Sequence, residues 1–140
     1  MEGGQTNEFR PLILVAEDDD SNFKLIKAII GKKCDIQWAK NGEEIVALFK
    51  EYGNEAKAIL MDIKMPVMNG LDATKIIRGE NKEIPIIMQT AYAFSSDKEN
   101  AMNAGASEVL VKPITLSILR NTLTKYFPGL VDRSFFCPVD

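Results

Sequence analysis

The sequence predicts a doubly wound α/β fold, a five-stranded parallel sheet with five helices on its two faces. Three observations carry this. A short, unbroken apolar run at 11–16, as a strand buried on both faces requires, is followed by similar mainly apolar runs at 35–39, 58–61, 84–88 and 109–111. Stretches with apolar residues at helical spacing separate them. Parallel neighbours need crossovers, and those stretches supply them. With 140 residues, 46% hydrophobic and 26% charged, the chain is about one domain's worth and apolar enough to pack one core.

Each element has its own signals. The first run, Pro11 to Ala16, stops abruptly at Glu17-Asp18-Asp19-Asp20. Phe23, Ile26, Ile29 and Ile30 then form a helical stripe, with Asp20 or Ser21 as the expected cap. The run at 35–39 leads through Asn41-Gly42 to a stripe of Ile45, Val46, Leu48 and Phe49. The third run ends at Asp62, before a helix marked by Leu71, Thr74, Ile76 and Ile77. The fourth leads to Thr90. Ala101 and Met102 mark a short helix, with Ser96 and Glu99 at capping-box spacing and Gly105 as its stop. The fifth leads to Lys112-Pro113, and Leu116, Leu119 and Leu123 make the last stripe. Residues 1–10 and 128–140 read as tails around a domain over 11–127.

Composition excludes several classes of function. There is no histidine, which removes Ser-His-Asp and Cys-His catalysis, His-ligated metals and a phosphohistidine on this chain. A net charge of −3 gives no electrostatic attraction for nucleic acid. The two cysteines, Cys34 and Cys137, form neither a disulfide framework nor a metal pair and read as free thiols. No apolar run reaches the roughly 18–20 residues of a membrane helix, and the polar N-terminus lacks a signal core. The expected location is cytoplasmic, without membrane contact.

In an open parallel sheet, ligands bind outside the carboxyl ends of the strands. Those ends carry Glu17 to Asp20, then Asp62, Thr90 and Lys112. The acids of the first end suit a following helix N-terminus, but four in a row exceed what capping needs. Like charges so close call for a cation, and hard oxygen ligands suit Mg²⁺. Asp62 either caps the next turn or acts as a carboxylate nucleophile toward phosphorus. Thr90 either fills its strand or donates a hydroxyl to a phosphoryl oxygen. Lys112 is either a surface lysine or a cation that reaches an anion.

The chain resembles the receiver domains of response regulators in two-component signalling, over roughly residues 10–127. The matching segments are Ile13 through Asp18, Met61 through Gly70, Gln89-Thr90-Ala91, and Gly105-Ala106 leading to Val111-Lys112-Pro113. Asp18, Asp62, Thr90 and Lys112 follow one another at intervals of 44, 28 and 22 positions. The resemblance implies a flavodoxin-like sheet of order 2-1-3-4-5 and a phosphoacceptor at Asp62. Glu17, Asp18, Asp62 and the Lys64 backbone carbonyl would hold Mg²⁺. Thr90, the Ala91 N–H and Lys112 would contact the phosphoryl group, and the Lys112–Pro113 bond would be cis. The donor would be a phosphohistidine on a sensor histidine kinase or a histidine phosphotransfer protein. The style of the sequence is most similar to receivers fused to hybrid sensor kinases. No output domain follows residue 127, so the chain is expected to be a stand-alone receiver or a fragment of a longer one.

Within that pattern the usual aromatic three positions before the lysine is replaced by Val109, so switching would rest on Thr90 and backbone shifts. Asn69 replaces the commoner acid before Gly70. Phe94, Met102 and Leu116 are candidates for a partner face on the fourth helix, fifth strand and fifth helix. Lys64 and Tyr92 are bulky at positions that flank a hydrolytic water in this family, implying slow phosphoryl loss. A haloacid-dehalogenase-type phosphatase is the other resemblance, through the spacing of Asp18 and Asp20. It needs an acidic motif after the lysine, and residues 113–131 hold no Asp or Glu.

Overall fold

The computed structural model describes residues 10–32, 34–91 and 96–126. Five strands, β1 (Leu12–Ala16), β2 (Asp35–Ala39), β3 (Ala56–Asp62), β4 (Ile86–Thr90) and β5 (Glu108–Val111), form one sheet of order β2-β1-β3-β4-β5. All four pairings are parallel. The crossovers are α1 (Asp20–Ile30), α2 (Gly42–Tyr52), α3 (Gly70–Glu80) and α4 (Asp97–Ala104), and α5 (Leu116–Tyr126) closes the order. This is the expected flavodoxin-like architecture.

Period-2 alternation splits the core in two. From β1, Ile13 and Val15 join Phe23, Ile26 and Ile30 of α1 and Leu119 and Leu123 of α5. Leu14 and Ala16 face the other way, onto Ile45 and Phe49 of α2 and Ala73 and Ile77 of α3. A strand buried on both sides needs apolar residues at every position, which is why the run at 11–16 has no polar interruption.

Boundaries differ from the sequence expectation where backbone chemistry decides them. Pro85 lacks an N–H and cannot donate to the ladder, so β4 starts at Ile86 and runs to Thr90. The cap of α1 is Asp19, not Asp20 or Ser21; its carboxylate accepts from Ser21 N at 2.8 Å. Asn41 and Asn69 cap α2 and α3 through Glu44 N and Asp72 N. The capping box at Ser96 does not form: Ser96 is helical (φ −67°, ψ −6°) and makes no side-chain cap. Gly105 does end α4, at φ 117°.

Two loops at the carboxyl edge of the sheet have unusual backbone geometry. Between β3 and α3, Met68 N donates to Pro66 O at 2.7 Å across Val67, whose φ is +70°. This is a γ-turn of the rare positive-φ hand. After β5, the Lys112–Pro113 bond is cis. Among the described residues no helix is long and apolar enough to cross a membrane.

Candidate phosphoryl and metal site

The topology delivers the carboxyl ends of β1, β3, β4 and β5 to one edge. Of the four consecutive acids there, two serve the helix and two serve the site. Asp19 caps α1, and Asp20 lies 3.4 Å from the exposed Lys40 ammonium. Glu17 is fully buried, and one carboxylate oxygen each from Glu17, Asp18 and Asp62 lie within 4.8 Å of one another. Asp20 is not one of the clustered acids, so the second aspartate that a dehalogenase-type phosphatase would use is not in the site.

Lys112 closes the cluster. Its Nζ lies 3.1 Å from Asp62 Oδ2 and 3.6 Å from Glu17 Oε1. Burial alone would lower the ammonium's pKa, but the charges of Asp62 and Glu17 more than offset it and hold it above the ordinary value. Glu17 behaves oppositely. Burial first, then the charge of Asp62, push its carboxyl up to about 7, against the pull of Lys112 and the Asp19 N–H. Its Oε2 accepts from Asp19 N at 3.1 Å, while buried Oε1 has no hydrogen-bond partner.

That unsatisfied oxygen tests whether a divalent cation fits. A buried carboxylate oxygen without a hydrogen-bond donor is costly, and three carboxylates beside the single Lys112 ammonium leave an excess of negative charge that a divalent cation would balance. The donor set is all hard oxygen, as Mg²⁺ prefers. The residues fit the ion.

Beside the acids, Asp62, Lys64, Gln89, Thr90, Ala91 and Lys112 help line a cleft of about 170 Å³. Thr90 is buried at the end of β4, its hydroxyl 3.4 Å from Asp97 Oδ2 in the first turn of α4. A larger depression of about 480 Å³ opens at the far edge, around Arg10, Asp35, Tyr52 and Lys57. It contains none of the clustered acids.

All the site residues expected from the sequence lie at this edge. Of the proposed partner-face residues, Met102 is exposed, Leu116 is half-buried against the core, and Phe94 lies outside the described residues, as do Tyr92 and Cys137. Two further residues touch the site without having stood out. Asp97 meets Thr90, and Trp38 Nε1 donates to the Glu17 carbonyl at 2.7 Å. A lone tryptophan in an apolar run reads as core, and nothing in its sequence spacing reveals that its N–H reaches the next strand's end.

A doubly wound sheet with an acid trio, a hydroxyl and a lysine at its carboxyl edge defines a receiver module. The chain belongs to the response regulator receiver domain family, whose pattern it matches over residues 13–124. It is 41% identical over 115 residues to hybrid signal transduction histidine kinase I of Dictyostelium discoideum. That match covers 76% of this chain and only 7% of the kinase. The fold is similar to the receiver domain of a sensor histidine kinase from Pseudomonas aeruginosa, solved with magnesium in its active-site cleft. The TM-score is 0.79 at 30% identity, covering 86% of this chain and 100% of that one. It is also similar to a Saccharomyces cerevisiae co-crystal structure of a histidine phosphotransfer protein with the receiver domain of its downstream response regulator. There the TM-score is 0.78 at 29% identity, with 88% and 94% covered.

Proposed function

We propose that this receiver takes a phosphoryl group from a phosphohistidine onto Asp62. The observation that carries the reading is the Asp62 carboxylate at a buried strand end, paired with Lys112 and within reach of Glu17 and Asp18. An Asp62 oxygen attacks phosphorus, an O–P bond forms, and the N–P bond to the donor imidazole breaks in line. Lys112 follows the transferred group and offsets charge on its oxygens. Thr90 and the Ala91 N–H supply hydrogen bonds to the same oxygens. Glu17, Asp18, Asp62 and the Lys64 carbonyl would hold Mg²⁺, which when bound would offset the negative charge that develops during transfer.

The domain spans 11–127 in this reading, acts in the cytoplasm, and catalyses its own modification without turning over a substrate. The partner is a sensor histidine kinase or a histidine phosphotransfer protein, and the receiver is fused to a kinase in some longer chains. Asp62 phosphorylation shifts a two-state face formed by α4, β5 and α5. Lys64 at the cleft, with Tyr92, slows loss of the group.

The test is intact mass after incubation with Mg²⁺ and a small acyl phosphate. One added phosphoryl group is expected, absent with EDTA and absent from Asp62→Asn. Full incorporation in that variant would overturn the assignment.

A further inference from the structure

Trp38 is the chain's single tryptophan. It stands on the edge strand β2, one residue before its end, and three contacts immobilise it. Its ring stacks on Phe23 of α1, centroids 3.9 Å apart and planes within 1°. The Lys40 ammonium lies 4.7 Å from the ring centroid while also reaching Asp20 at 3.4 Å. Its indole N–H donates to the Glu17 carbonyl at 2.7 Å.

The first two contacts need only an aromatic face, which phenylalanine keeps in smaller and weaker form. The third is different. Glu17 follows the last residue of β1, and its N–H is already held by Ala39 O at 2.9 Å. The indole holds the carbonyl, which belongs to the same rigid peptide plane as the Asp18 nitrogen. The backbone is therefore clamped on both sides of Glu17, and the origin of the Asp18 side chain is fixed with it. Both acids are donors in the proposed cation site, and losing a group that orients metal ligands typically costs about 10–100-fold in affinity.

We propose that Trp38 is a positioning residue for the acidic pair: its N–H locks the Glu17–Asp18 peptide in the arrangement that binds a divalent cation. This rests on the reading of Glu17, Asp18 and Asp62 as a Mg²⁺ site.

Trp38→Phe keeps a flat ring on Phe23 and removes the donor. Mg²⁺ titration of the metal-stripped protein by calorimetry should show affinity falling roughly 10-fold, the low end of the range for groups that orient metal ligands. In EDTA the variant should still melt in one cooperative transition, at a temperature lowered by the loss of one hydrogen bond. Wild-type binding with unchanged affinity in Trp38→Phe would overturn the proposal and leave the cation site standing. Absence of Mg²⁺ binding to the wild type would overturn the cation site and the proposal together.

Discussion

The Lys112 ammonium lies 3.1 Å from Asp62 Oδ2, against a cluster of three carboxylates. It acts as an internal counter-ion. Replacing it by methionine leaves two buried acids without its compensation, at a cost of about 3–5 kcal/mol. We expect Lys112→Met to lower the urea midpoint in EDTA, and Mg²⁺ to recover a larger part of that loss than it adds to wild type. Equal Mg²⁺ effects on both proteins would contradict the counter-ion role.

Val67 carries a different kind of cost. A β-branched residue at φ +70° is strained, and Val67 is 73% exposed, so little packing repays it. Val67→Gly relieves the turn but adds freedom to the unfolded chain. The net expectation is a gain of about 1 kcal/mol, read as a raised urea midpoint with an unchanged slope. A destabilised variant would mean that the exposed valine makes contacts that outweigh its strain.

Two glycines of α3 should respond with opposite signs. A Cβ on Gly70 would run into the Asp62 carbonyl oxygen and approach Met88 Cε to 2.9 Å. Nothing lies within 4 Å of a Cβ on Gly79. Gly70→Ala should cost about 2 kcal/mol or more, and weaken Mg²⁺ binding because the end of β3 must shift. Gly79→Ala should gain about 0.5 kcal/mol through helix propensity alone. Thermal melts of both variants check the pair.

Cys34 sets a pH dependence. Burial first, and then Asp35, push its thiol from 9.0 up to about 12, against Arg10. The unfolded chain therefore loses this proton at lower pH than the folded one. The contribution is intact below pH 9.0 and is lost as pH rises toward about 12. In a Cys137→Ser background, a thiol reagent at about pH 8 should leave native protein unmodified and label one thiol in urea. Between about pH 9 and 11 the urea midpoint should fall faster than in the same background carrying Cys34→Ala. Rapid labelling of the native protein would show that Cys34 is not shielded as its burial implies.

The alternation of runs and stripes made the sheet legible, because each of β1, β3 and β4 is apolar on both faces. The site was legible for a related reason: Asp62 and Lys112 follow apolar runs directly, Thr90 follows one after Gln89, and the topology carries those ends to one edge. What could not be read was set by geometry rather than by pattern. Asp19 competes with Asp20 and Ser21 for the α1 cap, and only the backbone angles choose among them. Ser96 with Glu99 has the spacing of a capping box but sits in helical φ/ψ, where its hydroxyl cannot cap. The roles of Trp38 and Asp97 depend on contacts across 21 and 7 positions, which no local periodicity encodes.

The direction of α5 has a practical consequence. It starts beside Lys112 and runs back, so that the Tyr126 hydroxyl reaches Ser107 O at 3.2 Å and Glu108 Oε1 at 3.0 Å, at the beginning of β5. Arg10, just before β1, likewise touches the Lys32 and Cys34 carbonyls beside the beginning of β2. The two ends of the described unit, Arg10 and Tyr126, therefore both lie at the rim opposite the acids. A tether, a fluorescent fusion or a solid support joined at either point keeps the cleft facing outward. The same wiring makes the unit easy to insert into longer polypeptides, where the linker's length sets the local concentration of a partner without shading Asp62.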